Sequence, residues 1–228
     1  MRGLAWFAGT ALALATTLTH ADGEPTVRIS AALGAPSPAD IDNALARSFD
    51  SPFLASIKGS PDVRIDNCTA WQTWRDRVTG AQPESDYAAL RGQGAQCDAL
   101  AMVRKAHAPK RSALPADLNA LTPARLYPAT LWVAVSDEAV AALAQSGRTL
   151  AAASGIARFK VDRKGLLLED DAQGIRLVLL ARGDFDGDGW EDALYRRQAW
   201  VRGGSWSDVR LVLLTRRRAG APLTELPR

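Results

Sequence analysis

One acidic, glycine-rich stretch constrains the fold of this 228-residue chain more than any other part of the sequence. It runs Gly-Asp-Phe-Asp-Gly-Asp-Gly-Trp-Glu-Asp from Gly183 to Asp192. Counted from the first aspartate, carboxylates stand at positions 1, 3, 5 and 9, and glycines stand at positions 4 and 6. Ca²⁺ takes about six to eight oxygen ligands, which alternate residues of a tight turn can supply. Because glycine tolerates the positive φ values that such a turn requires, the stretch predicts a calcium-binding loop.

The predicted metal ligands are four side chains and one backbone carbonyl. The carbonyl at loop position 7 is the expected backbone ligand, whereas Glu191, at position 8, is expected to point to solvent. An acidic hairpin without an ion is the alternative, but four carboxylates so close in sequence repel one another unless a cation is present. The predicted ligand set is Asp184, Asp186, Asp188, Trp190 and Asp192.

The residues around the loop distinguish it from an EF-hand. Tyr195 occupies position 12, where an EF-hand supplies a bidentate glutamate. The flanking segments 175–180 and 193–195 are predicted strands rather than helices. A strand–loop–strand unit with the pattern Asp-x-Asp-x-Asp-Gly-x-x-Asp resembles the calcium loop of FG-GAP/VCBS-type repeats, over about residues 178–200 only.

That resemblance implies an extracellular protein in which the ion stiffens a loop between two strands. It also implies the same ligands, with side chains from Asp184, Asp186, Asp188 and Asp192 and a carbonyl from Trp190. The motif occurs once in the chain, and no repeat of fixed period is seen, so a complete propeller is not predicted.

The N-terminus has the pattern of a secretory signal peptide. Arg2 provides a positive start, residues 5–18 form an uncharged apolar run, and small residues at Thr19 and Ala21 precede the predicted cleavage site. The run is shorter than the roughly 20 apolar residues that span a bilayer. Residues 1–21 are therefore predicted to be removed, which places the mature protein in the periplasm or outside the cell; an uncleaved anchor is the alternative.

Cysteine content and charge limit the possible functions. In an exported protein the two cysteines, Cys68 and Cys97, are predicted to form a disulfide; two separate buried thiols are the alternative. Their spacing excludes a CxxC redox pair. Without Arg2 the chain has 27 basic and 25 acidic residues, a net charge of +2, so the balance does not favour nucleic acid or a membrane surface as a partner.

The periodicity of apolar residues predicts an α+β fold with a helical region over 22–125 and a β-rich region over 126–228. After an exposed lead-in over 22–36, helices are predicted from Ser37, from Asp66 to Val78, around Tyr87, and around Cys97 beyond a break at Gly92–Gly94. A proline-rich segment over 108–128, with one short helix at 116–121, forms the seam.

The second region is predicted to form an antiparallel meander with one solvated and one buried face. A strand over 130–135 and a helix over 137–145 precede it. Its strands are predicted at 157–162, 166–169, 175–182, 193–201 and 209–214.

Catalytic patterns are scarce in this sequence. The predicted mature chain has one histidine, His107, beside no nucleophile motif, and we expect it to be a polar helix terminus. One histidine and two paired cysteines do not make a zinc site either. We therefore expect a non-enzymatic calcium-binding protein with no catalytic residues.

Two alternatives remain open at this point. In the first, calcium supports a module that binds an envelope polysaccharide or a protein through exposed aromatic residues and small basic clusters. In the second, a hydrolase uses calcium structurally. The residues that motivate the binding module are Trp190, Trp200, Trp206, Arg196, Arg197 and residues 216–218.

Overall fold

A computed structural model describes residues 26–118, 125–155, 158–162 and 165–227. The predicted signal peptide and part of the helix predicted at 116–121 lie outside these ranges. The helices are α1 (Ile41–Ala46), α2 (Cys68–Trp74), α3 (Tyr87–Lys105), α4 (Asp137–Gln145) and α5 (Leu150–Ser154). The strands are β1 (Arg28–Ile29), β2 (Phe53–Ile57), β3 (Val63–Ile65), β4 (Val78–Gln82), β5 (Arg158–Asp162), β6 (Gly165–Glu169), β7 (Gln173–Gly183), β8 (Asp192–Val201), β9 (Ser207–Thr215) and β10 (Thr224–Glu225).

An antiparallel sheet in the C-terminal half forms the centre of the molecule. Its strand order is β10-β9-β8-β7-β6-β5, and β1 adds to the end of β7. The predicted meander is confirmed, with strand bounds that differ by one or two residues. Helices in the N-terminal half and this sheet together confirm the α+β class. Within the described residues, no helix is both long enough and apolar enough to cross a bilayer.

The central strands of the sheet are buried on both faces, so the expected solvated face is wrong for them. Side chains such as Leu180 and Leu194 join a core cluster with the N-terminal helices. Their neighbours on the opposite face, such as Leu177 and Tyr195, join a second cluster with residues 114–151. Because successive side chains of a strand point to opposite faces, apolar residues at consecutive positions bury both.

The N-terminal region contains more strand than the sequence predicts. A small sheet of order β3-β2-β4 packs beside the helices. The helix predicted to reach Val78 ends at Trp74, and Val78 instead begins β4. Asn67 caps the start of α2 by accepting a hydrogen bond from the Ala70 N–H at 2.8 Å. The lead-in is also less exposed than expected, because Leu33 is buried.

The predicted helix break at Gly92–Gly94 is wrong, since α3 runs through it without interruption. A methyl group on Gly94 would lie 2.2 Å from the indole ring of Trp71. Gly94 therefore allows α2 to approach α3 closely. The predicted disulfide between Cys68 and Cys97 is confirmed and joins these same two helices.

The strand predicted at 130–135 is also wrong. A single 3₁₀ turn, Ala129–Leu131, is followed by irregular chain. The carbonyl groups of Leu131 and Trp132 accept hydrogen bonds from the guanidinium of Arg197 at 2.7 and 2.8 Å. A buried side chain on β8 thus satisfies backbone groups that a neighbouring strand would otherwise satisfy. The helix predicted at 137–145 is confirmed as α4, with Ser136 as its N-cap.

Candidate metal centre

The acidic loop connects the two longest strands of the sheet. The pairing of β7 with β8 ends at Gly183 and Asp192, and residues 184–191 close the turn between them. Gly187 and Gly189 have φ values of 82° and 83°, in the left-handed region that glycine enters without strain. The glycines at loop positions 4 and 6 therefore have the backbone conformation that the sequence pattern predicts.

Three of the predicted ligands lie together. One carboxylate oxygen from each of Asp184, Asp186 and Asp188 lies within 4.8 Å of the others. Two oxygens bound to one Ca²⁺ at about 2.4 Å can be at most about 4.8 Å apart, so this spacing fits a shared ion. Within the described part of the chain, this is the only group of three or more histidine, cysteine or acidic side chains that could hold a metal.

Hydrogen bonds within the loop hold these carboxylates in place. Asp184 is buried and accepts hydrogen bonds from the N–H groups of Gly187 at 2.7 Å and Gly189 at 2.9 Å. Asp186 accepts from the Asp188 N–H at 3.1 Å, and Asp188 accepts from the Trp190 N–H at 2.8 Å. An ionised carboxylate has about four acceptor positions, so each retains capacity for a cation.

Asp192 lies beside the three-carboxylate group but is not a member of it. Its side chain is fully buried, and its Oδ2 accepts a hydrogen bond from the Phe185 N–H at 3.1 Å. Its Oδ1 has no hydrogen-bond partner among the described residues. Burial, together with the negative charges of Asp186 and Asp188, raises the pKa of Asp192 to about 6. Its role as a ligand, and that of the Trp190 carbonyl, stay predictions.

Arg217 places a positive charge against the exposed side of the loop. Its guanidinium contacts the carboxylate of Asp188 and lies 3.7 Å from that of Asp186. Burial alone would raise the pKa of Asp188. Hydrogen bonds from the Trp190 N–H and from Arg217 together outweigh this effect and lower the pKa. One arginine therefore offsets part of the negative charge of the loop.

The expectation that Glu191 points to solvent is wrong. Glu191 is only 1% exposed and forms a bidentate pair with Arg182, whose Nη2 donates to its Oε2 at 2.7 Å. Arg28 and Ser112 donate to the same carboxylate. Arg182 also donates to the carbonyls of Pro115 and Ala116, both at 3.1 Å. This network fixes the base of the loop to β1 and to the chain that follows α3.

A strap formed by residues 107–111 runs along the back of the loop. His107 and Asp184 exchange two backbone hydrogen bonds, both at 2.9 Å. Further along, the Lys110 N–H donates to the Gly189 carbonyl at 2.9 Å, and the Glu191 N–H donates to the Arg111 carbonyl at 2.8 Å. His107 lies two residues beyond the end of α3, close to the predicted helix terminus, but the contact of its backbone with the loop was not predicted.

The aromatic residues near the loop do not form a common surface. The guanidinium of Arg111 lies 4.2 Å from the ring centre of Trp190 and covers it. Trp200 packs on Gly174, where an added methyl group would lie 2.5 Å from its ring. Trp206 is exposed, but it lies beyond the far end of β8 from the loop.

The expected basic clusters are largely internal contacts. Arg197 is buried and donates to Asp208 at 2.9 Å as well as to backbone carbonyls. Arg196 donates to Gln96, and the buried Arg216 donates to the Ala113 carbonyl. With Arg217 at the loop, Arg218 is the one exposed arginine among these residues whose guanidinium makes no hydrogen bond or ion pair with the described part of the chain. The arrangement does not form a basic patch for an anionic polymer.

Comparison with known proteins finds no match among family models, curated proteins or solved structures. The resemblance to FG-GAP/VCBS-type repeats therefore depends on the loop residues alone.

Proposed function

We propose that residues 184–192 bind one Ca²⁺ ion in an exported, non-enzymatic protein, and that the ion stiffens the end of the β7–β8 hairpin. The observation that carries this proposal is the convergence of carboxylate oxygens from Asp184, Asp186 and Asp188 within 4.8 Å. The resemblance of the loop to FG-GAP/VCBS-type repeats agrees with it. The predicted signal peptide and the disulfide between Cys68 and Cys97 fit an oxidising compartment.

The charge of the loop supports a cation as the missing partner. Two unit charges 4.8 Å apart repel by about 3 kcal/mol at an effective dielectric constant of 20, less where solvent screens them. Arg217 supplies one positive charge on the outer side. The buried Oδ1 of Asp192 has no partner in the described structure, so a divalent ion would compensate charge that the protein leaves uncompensated.

The donor set favours calcium over other metals. All the gathered groups are oxygen donors, which exclude the nitrogen and sulfur coordination typical of structural zinc. Mg²⁺ demands near-octahedral geometry at about 2.1 Å and usually retains several waters, whereas Ca²⁺ accepts irregular sets of carboxylates and carbonyls. An extended loop of alternating ligands suits the larger ion.

The position of the loop indicates what the ion would do. Backbone hydrogen bonds join the loop to the 107–111 strap, which continues from α3. Ordering of the loop by an ion would therefore strengthen an existing link between the helical layer and the sheet. Extracellular modules bind calcium with a Kd of about 10⁻⁴ to 10⁻³ M. At ten times the Kd, binding would add about 1.4 kcal/mol of stability, which suits a structural clip.

Thermal unfolding in calcium and in EDTA tests the proposal. The protein without residues 1–21 should melt several degrees higher in 5 mM Ca²⁺, at about ten times a Kd in the range given above. Asp186→Asn and Asp188→Asn should abolish the difference. Asp62→Asn, which changes an exposed acidic residue in another loop, should retain it. Equal melting temperatures of the wild-type protein in calcium and EDTA would contradict the proposal.

A further inference from the structure

A groove at the end of the sheet opposite the acidic loop presents polar side chains to solvent. Its larger part is a cleft of about 620 Å³ between residues 84–91, at the start of α3, and residues 205–209, at the start of β9. A smaller cleft of about 270 Å³ lies further along β9. Tyr87, Arg91 and Val209 line both clefts, so the two form one continuous groove.

The polar side chains of the larger cleft are free to bind a ligand. Six of them are exposed or half-buried, and their nitrogen and oxygen atoms make no hydrogen bond or ion pair with the described part of the chain. They are the carboxylate of Glu84, the hydroxyls of Tyr87, Ser205 and Ser207, the guanidinium of Arg91 and the indole N–H of Trp206. This set contains both hydrogen-bond donors and acceptors, so a matching ligand must offer both as well.

The charge along the groove is nearly balanced. Arg75 and Asp98 pair with each other at 2.8 Å, and Asp208 accepts a hydrogen bond from Arg197 at 2.9 Å. The charged lining residues are Asp76, Glu84, Asp98 and Asp208 on one side of the balance and Arg75, Arg91 and Arg210 on the other. A surface with both signs interspersed attracts neither a polyanion nor a polycation, so an uncharged ligand suits it best.

Trp206 adds an apolar face to this polar lining. It is one of four large hydrophobic residues that are exposed in the described ranges, and it lines the larger cleft. Its ring combines an apolar body with one polar N–H. A sugar ring has the complementary surface, because C–H groups cover its face and hydroxyls, each both donor and acceptor, surround its rim.

We propose that this groove binds a neutral oligosaccharide, with one sugar ring against the indole of Trp206 and its hydroxyls hydrogen-bonded to Glu84 and Arg91. The two clefts follow one another along β9, which suits a chain of linked sugars rather than a single one. An added peptide strand fits less well, because Leu211 is only 2% exposed and the accessible edge of β9 is therefore short.

A glycan array followed by calorimetry tests this proposal. The array carries neutral fragments of glucose, mannose, galactose and N-acetylglucosamine polymers beside uronic acid fragments of similar length. The protein without residues 1–21 should bind at least one neutral fragment, and bind it more tightly than any uronic acid fragment. In titration with the best neutral hexasaccharide, Trp206→Ala should raise the Kd at least about tenfold. Trp206→Phe, which retains an aromatic face, should raise it less.

Two matched pairs of variants locate the site in this groove. Glu84→Ala and Arg91→Gln should each raise the Kd for the hexasaccharide several-fold, because each removes a free hydrogen-bonding group from the larger cleft. Asp50→Ala and Arg47→Gln change exposed residues that line a different cleft, beside α1, and should leave the Kd unchanged.

A variant of the acidic loop separates this site from the candidate metal centre. Asp186→Asn should bind the hexasaccharide as the wild-type protein does, because the groove lies at the other end of the sheet. The proposal would be overturned by absence of binding to every neutral fragment or by tighter binding to uronic acid fragments. Equal binding by a folded Trp206→Ala variant, or loss of binding in Asp186→Asn, would overturn it as well.

Discussion

Arg182 and Glu191 form a buried ion pair directly beneath the acidic loop, with Nη2 2.7 Å from Oε2. Their side chains are 9% and 2% exposed. The pair lies where β7 ends and β8 begins, so it sets the separation of the two strands at the base of the loop. The candidate metal centre therefore lies directly on a buried ion pair that joins the ends of the two strands.

Loss of the glutamate should destabilise the whole protein. Glu191→Ala leaves the Arg182 guanidinium buried without its charge partner, which should cost about 3 kcal/mol. Urea denaturation of the wild-type and variant proteins measures the difference. Glu169→Ala is the matched control, because it removes a glutamate whose partner, Arg202, is 42% exposed, and it should cost less than about 1 kcal/mol. Equal effects of the two variants would contradict the role given to the buried pair.

The same carboxylate should shape the acid limb of the stability profile. Burial alone would raise the pKa of Glu191, but hydrogen bonds from Arg182, Ser112 and Arg28 outweigh it and hold the pKa below its ordinary value of 4.5. The stability that Glu191 contributes is therefore present above that value and is lost as the pH falls through the lower, folded-state pKa. Urea midpoints between pH 2 and 6 should show this loss in the wild-type protein and not in Glu191→Gln.

Asp192 should have the opposite effect in calcium-free buffer. Its pKa rises from 3.8 to about 6 on folding, chiefly through burial. The folded state thus holds this proton more tightly than the unfolded chain, and stability falls as the pH rises through the interval between these values. In EDTA, Asp192→Asn should remove this fall in stability. If the variant and the wild-type protein have the same dependence of stability on pH, ionisation of Asp192 does not destabilise the folded state.

The contact between α2 and α3 provides a test on two glycines of one helix. Gly94→Ala forces a methyl group into the ring of Trp71 and should cost about 1–3 kcal/mol through overpacking. Gly92→Ala meets nothing within 4 Å and should stabilise the helix by up to about 1 kcal/mol. Thermal unfolding of the oxidised variants measures both, and a destabilised Gly92→Ala would contradict the packing described.

Arg217 should oppose calcium binding. Its guanidinium contacts Asp188 and lies near Asp186, so an ion must compete with it for the same oxygens. Arg217→Gln should therefore lower the Kd for calcium several-fold, whereas Arg218→Gln, next to it and exposed, should leave the Kd unchanged. Calorimetric titration of the two variants would distinguish this competition from a supporting role for Arg217, which would raise the Kd instead.

Local patterns in the sequence predicted the parts of the structure that depend on neighbouring residues. The glycines of the loop, the helix at 137–145 and the strands of the meander follow from turn chemistry and periodicity. Long-range contacts caused the errors. α3 continues through Gly94, which leaves room for the ring of Trp71. Residues 130–135 do not form a strand, and Arg197 donates hydrogen bonds to the carbonyls of Leu131 and Trp132.

The part of the candidate site that the sequence did not predict also depends on long-range contacts. Glu191 is buried by partners as distant in sequence as Arg28, 163 residues away, and the strap over 107–111 contacts the loop from a segment more than 70 residues earlier in the chain. No spacing within the loop carries this information. Arg182, which follows an apolar run over residues 177–181, was a local indication that a buried carboxylate lay nearby.

Calorimetric titration of Ca²⁺ into the metal-free protein without residues 1–21 is the decisive test for a calcium site in the acidic loop. The expected result is one site per chain with a Kd of about 10⁻⁴ to 10⁻³ M, lost in Asp186→Asn and retained in Asp62→Asn. Absence of any binding heat at millimolar calcium, with no protection of the loop amides from exchange, would contradict the account.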